Sequence, residues 1–338
     1  MTQWICTANR GFATYAMEEL RRMFAEMRIS QLTHGEVFKI ELPLEREELL
    51  GRIREQEPIF LRHIQPVERV LPLKGSADDL QELAEIARGA RLRLEGRTVA
   101  VHVRRAEKSP YPYSTSDTKA VLDAVLEELG ADPVVQSPDV ILSLFAGEEQ
   151  LYVGIATPEE MLSDWPGGAV RFQREEGQIS RAKFKLLEAE RAFGLRLEQF
   201  REGLDIGAAP GGWTHLLLER GLKVTAVDPA ELHPSLSQYP RLTNYRKNAS
   251  EVKFEPGTFD LLVCDMSWSP MQMVRLVLDL SDALAEGATA IVTIKLMHKK
   301  PLQTIKDVIS RFGTGFQLRK AKQLFHNREE ITLYLVKK

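Results

Sequence analysis

Four ionisable residues, far apart in the chain, stand where chemistry is done: Lys185, Asp265, Lys295 and one of the adjacent Glu329 and Glu330. Asp265 closes the apolar run FDLLVCD and Lys295 closes AIVTIK. Lys185 lies in KFKLLEA, ahead of a glycine-rich turn, and the glutamates open the last apolar run, EEITLYLV. In an open sheet made of such runs, ligands sit beyond the carboxyl ends of the strands, so Asp265 and Lys295 face one crevice. Lys185 converges on it from a helix and a glutamate from the last strand. Glu330 is taken as that partner, with Glu329 open as the alternative. Two lysines and two acids need no histidine or cysteine beside them. The set suits deprotonation of a hydroxyl, because a lysine crowded by a second cation and partly desolvated releases its proton more readily. Lys295 is read as the base, oriented by Lys185, Asp265 and Glu330. Plainer readings stand beside these: Asp265 as a cofactor contact, Lys295 as a solvated charge like Lys299 and Lys300, and the glutamate as an edge-strand guard against aggregation.

The elements that must position these residues are organised around GLDIGAAPGGWT, residues 203–214. A strand (Leu204, Ile206) runs into a turn whose Gly207, Gly211 and Gly212 allow a sharp bend and close approach to a ligand, and a helix opens near Trp213. A second strand, KVTAVDP, ends on Asp228, an acid placed for ribose hydroxyls. Pro210 and the doubled glycine make the turn a poor dinucleotide fingerprint, and no lysine is present for a P-loop. A turn without phosphate-binding chemistry beside a ribose-binding acid suits S-adenosyl-L-methionine. With a methyl already carried on a sulfonium, the protein has mainly to align oxygen, carbon and sulfur.

At 43% hydrophobic and 28% charged residues, the 338-residue chain has the composition of an ordinary globular protein, long enough for two or three domains. Cys6 and Cys264 have no metal-type spacing, so no metal is expected. The start lacks a signal-peptide layout and no apolar run is long enough to span a bilayer, so a cytoplasmic protein without a membrane partner is expected. No heptad or apolar helix face stands out, which favours a monomer over an oligomer. Strand and helix patterns give a small α+β module over residues 1–72, in which FLRHIQPVERVLPL reads as one further strand. A compact α/β unit follows over 73–156, then a Pro/Gly-rich, charged linker over 157–178. From 179 to 338, helices alternate with VTAVDP, FDLLVCDM and ATAIVTIKL, a mostly parallel sheet, and a terminal hairpin adds an antiparallel strand. The fold class is therefore α/β, a Rossmann-type methyltransferase sheet with a closing antiparallel strand. Net charge is −3, so a nucleic-acid partner must be met by local basic surface. The candidates are Arg171, Arg174, Arg181 and Lys183; His298, Lys299 and Lys300; Arg319, Lys320, Lys322 and Arg328. Each run is equally readable as an ordinary solvated face. Arg104 and Arg105 with Tyr111 and Tyr113 are a further candidate grip on RNA.

These residues carry a resemblance. Lys185, Asp265, Lys295 and the C-terminal Glu, set in SRAKFKLLEA, LDIGAAPGGWT, VCDMSW, TIKL and NREEITLYL, resemble the FtsJ-like RNA 2′-O-ribose methyltransferases in the order of that family. Within it, APGGWT, CDM, KL followed by basic residues and the REE ending are similar to the RlmM-type 23S rRNA cytidine 2′-O-methyltransferases. Upstream, VHVRR, YS, VLEELGA, SPDVILSLF and LYVGIA resemble a THUMP RNA-binding domain, and residues 1–72 the ferredoxin-like module that precedes it. The resemblance implies S-adenosylmethionine contacts from Ser180, Gly211, Gly212, Trp213, Asp228 and Asp265. Asn248 departs from the pattern, standing where relatives carry an acid near the adenine. The implied activity is ribose 2′-O-methylation of RNA, most simply large-subunit rRNA. A base methyltransferase would instead want Asn/Asp-Pro-Pro-Tyr where Asp265-Met266-Ser267-Trp268 stands, or Pro-Cys where Val263 precedes Cys264. A non-catalytic RNA-binding or assembly factor is the competitor from another class.

Overall fold

The computed structural model describes residues 1–174, 176–296 and 300–338. Contacts divide the chain into two compact units, Met1–Val170 and Arg171–Lys338. The first carries two sheets. Strand β1 (Thr2–Thr7), helix α1 (Ala13–Met23), β2 (Arg28–Thr33), β3 (Val37–Leu42), α2 (Arg46–Glu55) and β4 (His63–Pro66) make a βαββαβ unit. Its four strands are antiparallel in the order β2-β3-β1-β4, the ferredoxin-like arrangement. There follow β5 (Arg69–Pro72), α3 (Ala77–Gly89), α4 (Arg91–Leu94), β6 (Thr98–Arg105), α5 (Thr115–Glu128), β7 (Asp132–Pro133), β8 (Val140–Ala146) and β9 (Gln150–Ala156), with sheet order β5-β9-β8-β6-β7. Leu83, Ala87, Leu122 and Leu126 bring α3 and α5 onto the apolar face of this sheet. Both helices begin with a serine capping box, at Ser76 and Ser114.

Two expectations for this unit are corrected. FLRHIQPVERVLPL is two strands in different sheets: β4 pairs with β1, and β5 pairs with β9. The chain changes sheets after Pro66, where the Val67 amide donates to Gln3 O and the Glu68 amide to Val153 O. The expected Arg-Tyr grip is also largely internal. Tyr111 is core, its hydroxyl 2.9 Å from Thr118 Oγ1. Arg104 turns inward to donate to Thr7 Oγ1 at 2.7 Å, and burial, with Arg62 adding, pulls its guanidinium down to about 10 against the opposing pull of Glu36. Arg105 remains exposed.

The second unit contains α6 (Lys183–Ala192), β10 (Glu202–Ile206), α7 (Gly212–Glu219), β11 (Lys223–Val227), β12 (Leu242–Tyr245), β13 (Phe259–Cys264), α8 (Pro270–Asp279), β14 (Leu284–Lys295), α9 (Pro301–Phe312), β15 (Phe316–Lys322) and β16 (Glu330–Lys337). Seven strands lie in the order β12-β11-β10-β13-β14-β16-β15, parallel except for β16, which runs antiparallel to both neighbours. The central strands are buried on both faces, which is why LLVC and AIVTI read as continuous apolar runs rather than as alternation. Starting from β10, the chain winds first toward β12 and then, from β13, the opposite way. The crevice between the carboxyl ends of β10 and β13 is thus the topological switch point, where such sheets bind ligands.

Candidate active site

The glycine turn leaves β10 and enters α7. Gly207 and Gly211 have φ of +74° and +112°, left-handed conformations that a side chain would strain. A Cβ at Gly207 would occupy the place of the Met266 side chain, and one at Gly211 the place of Leu236. The early amides of the turn are already spent. Gly207 N and Ala208 N donate to Val227 O at 2.9 and 3.4 Å, and Ala209 N donates to Asp228 Oδ2 at 3.0 Å. Asp228 Oδ1 also accepts from Ala230 N, at 2.7 Å. These amides are therefore not presented to a pyrophosphate, as a dinucleotide turn presents its own. Beneath the turn, buried Asp205 accepts from Thr214 Oγ1 at 2.6 Å. Burial, seconded by the charges of Asp265 and Asp228, pushes its carboxyl up to about 7, against the Thr214 hydrogen bond.

Beyond the strand ends lies a cleft of about 450 Å³. Of the residues expected to hold a cofactor, Gly207, Asp228, Asn248 and Asp265 line it. The others lie outside that lining. Trp213 is buried and donates its indole N–H to Ala182 O at 2.7 Å, tying the segment before α6 onto α7. Ser180 Oγ accepts from Ala182 N at 3.1 Å and rests against Gly212, where a Cβ would displace it. Pro210 is exposed. Residues that the sequence did not single out complete the wall: Lys247, Met266, Trp268 and Leu276. Met266 and Trp268 closely follow Asp265, so their place after a strand end was the available signal.

At the Asp265 end of the cleft three of the four expected catalytic groups meet. Lys185 Nζ stands 3.1 Å from both Asp265 oxygens and 2.6 Å from Glu330 Oε1. Thr293 Oγ1, which no sequence pattern marks, donates to Asp265 Oδ1 at 2.7 Å. Burial alone would lower the Lys185 ammonium, but the carboxylates of Asp265 and Glu330 outweigh it and hold it above its ordinary value. Lys295 and Glu330 are direct cross-strand partners, and opposed residues carry their side chains on one face of the sheet. Glu329, one residue earlier, is exposed, and its carbonyl accepts the Leu296 amide at 2.6 Å. Among the described residues, Lys295 has no ion-pair partner.

Two of the basic residues differ from expectation. Arg171, Arg174, Arg181, Lys300, Arg319, Lys320 and Arg328 are exposed. Lys183 is buried and paired to Glu219 at 2.9 Å, and Lys322 is also buried, so neither is the surface charge it was read as. His298 and Lys299 lie outside the described residues.

A seven-stranded sheet with one reversed strand, an acid lining the cleft at the strand ends and a turn not presenting its early amides to phosphate define a domain of the methyltransferase class. Comparison with known proteins agrees. Residues 178–322 match the family described as FtsJ-like methyltransferase. Proteins named ribosomal RNA large subunit methyltransferase M are similar: that of Halorhodospira halophila is 37% identical over 196 residues, covering 56% of each chain. That of Laribacter hongkongensis is 34% identical over 208 residues, 57% of each. That of Azotobacter vinelandii is 32% identical over 256 residues, 71% of this chain and 67% of the relative. The chain belongs to this family of ribosomal RNA large subunit methyltransferase M proteins. The match spans a little over half the length of the first two relatives. Among solved structures, TrmN from Thermus thermophilus aligns over all of both chains at 18% identity and a TM-score of 0.43.

Proposed function

We propose that the chain is an S-adenosyl-L-methionine-dependent RNA ribose 2′-O-methyltransferase acting on large-subunit rRNA, with Lys295 as general base. The observation that carries this reading is Lys185 held between Asp265 and Glu330, with Lys295 directly across from Glu330. The residues present fit the cofactor: Asp228 and Asn248 line a nucleoside-sized cleft whose early turn amides are engaged by the protein. When bound, the cofactor supplies an electrophilic methyl group on a sulfonium. Lys295 Nζ would take the proton of the ribose 2′-hydroxyl as that oxygen accepts the methyl group the bound cofactor would supply. Lys185, kept cationic by two carboxylates, cannot serve as that base near neutral pH and instead stabilises the developing alkoxide. Asp265, fixed by Thr293, and Glu330 hold Lys185 in place.

In this reading the first unit is a ferredoxin-like module followed by a THUMP-like RNA-binding module, and exposed Arg171, Arg174, Arg181 and Arg328 meet the RNA backbone. The names of the relatives support large-subunit rRNA as the substrate. The test is transfer of labelled methyl from S-adenosylmethionine to total RNA, with mapping of 2′-O-methyl sites. Wild type labels one ribose, and Lys295→Ala lowers the rate by about 10²- to 10⁴-fold. A Lys295→Ala enzyme as fast as wild type overturns the base assignment. Binding of cofactor and RNA without transfer overturns the enzyme reading in favour of an assembly factor.

A further inference from the structure

Among the described residues of the second unit, the exposed large hydrophobic side chains are Tyr245, Trp268 and Met271. All three lie at the carboxyl edge of the sheet: Tyr245 ends β12, Trp268 follows β13, and Met271 is in the first turn of α8. Trp268 is 43% exposed and lines the cleft. The segment that bears it is anchored at once, because Ser269 Oγ donates to Gln272 Oε1 at 2.6 Å in the capping box that starts α8. Pro229, Ala249 and Leu276 add apolar wall to the same cavity, and Asp228 brings the carboxylate. A flat, solvent-facing indole beside apolar Pro229, Ala249 and Leu276 and the Asp228 carboxylate, in a cleft open to solvent, suits a flat aromatic heterocycle. Asn248, by contrast, donates its side-chain amide to Glu251 Oε2 at 3.3 Å as part of a local cap.

We infer that Trp268 stacks on the adenine of the methyl donor and sets affinity at the nucleoside end of the cleft. The inference rests on the cofactor reading above, and it assigns the base to a ring rather than to the Asn248 side chain. Stacking tolerates Phe far better than Ala, because a π-face of similar reach remains.

The experiment titrates S-adenosylhomocysteine into the full chain, without RNA, by calorimetry and by tryptophan fluorescence. Wild type binds with quenched emission. Trp268→Ala weakens binding about tenfold or more, whereas Trp268→Phe stays within about threefold of wild type but loses the quench. Melting curves without ligand confirm that each variant is folded, and should the alanine variant unfold, the loss of quench in Trp268→Phe decides. An alanine variant that binds as tightly as wild type overturns the inference. So does one that loses RNA affinity while holding S-adenosylhomocysteine normally, since the ring would then serve the RNA. A wild type that fails to bind S-adenosylhomocysteine at all overturns the cofactor reading itself, an outcome distinct from failure of the Trp268 variants alone.

Discussion

Thr293 Oγ1, on β14, donates a 2.7 Å hydrogen bond to Asp265 Oδ1 at the end of the neighbouring β13, and the same carboxylate accepts from Lys185. Thr293 is buried, and its hydroxyl fixes the rotamer of Asp265. Thr293→Val keeps the shape and removes the donor. A catalytic group held a fraction of an ångström out of place costs rate more than binding. The expected outcome is a fall in kcat of about tenfold or more with KM for S-adenosylmethionine little changed, and recovery in Thr293→Ser. Equal kcat in the valine variant would show that Lys185 alone positions Asp265.

Asp205 gives the second unit a pH signature. Its carboxyl lies at about 7 in the fold against an ordinary value of 3.8, burial being the main cause. The folded state therefore binds the proton more firmly than the unfolded chain. The associated stability is full below about 4 and is lost as pH rises through about 7. The gap corresponds to about 4 kcal/mol at most, taking about 1.4 kcal/mol for each tenfold change in proton affinity. Asp205→Asn cannot ionise and still accepts from Thr214. Melting temperatures measured from pH 5 to pH 8.5 should fall for wild type and stay flatter for the asparagine variant; parallel curves would remove Asp205 as the cause.

Much of this site is legible because its groups sit at ends of strongly apolar strands or on a helix with a clear phase. Lys185 and Lys183 illustrate the phase: two positions apart on α6, one reaches Asp265 and Glu330 while the other is buried against Glu219. What escaped the sequence has physical reasons. Strands β2 and β12 are sheet edges whose residues are all exposed or half-buried, so they lack the apolar signature of buried strands. The run around Pro66 reads as one strand because residues on both sides are strand formers, and only the pairing partners separate β4 from β5. Trp268 lies in a loop, where periodicity says nothing about direction.

The first unit responds to pH in the opposite sense. His63 is buried with neither ring nitrogen hydrogen-bonded among the described residues, and burial, then Arg104, His102 and Arg62, hold its pKa well below 6.5. Burial, with Lys119 and Arg104, lowers His102 to about 4, the backbone hydrogen bond involving Asp164 opposing. For both, the unfolded chain takes up the proton first. The stability linked to their neutral forms is full above about 6.5 and is lost as pH falls below it, for His102 through about 4. A His63→Leu variant, which has no ring to protonate, should retain its folded signal to lower pH than wild type when unfolding is followed by circular dichroism. If acid unfolding is unchanged in that variant, His63 is not a source of the acid sensitivity.

Lys183 and Lys185 should separate stability from activity. The Lys183 side chain is 6% exposed and pairs with Glu219, 32% exposed, at 2.9 Å, bracing α6 against α7 away from Asp265. Removing one member of a largely buried pair leaves the other uncompensated, at a cost of several kcal/mol when both are fully buried and of about 1–3 kcal/mol with one side open to water. Lys183→Gln is therefore expected to lower the melting temperature by several degrees while the folded protein keeps its kcat. Lys185→Gln removes the cation between Asp265 and Glu330, two carboxylates that then face each other without a counter-charge. Loss of a charge positioned at a developing alkoxide is expected to lower kcat by about 10²- to 10³-fold. Calorimetric melting and single-turnover methyl transfer on both variants measure the two effects independently. A Lys183→Gln enzyme that is fully stable yet slow would reverse the roles of the two lysines, placing Lys183 in the site and Lys185 in the brace.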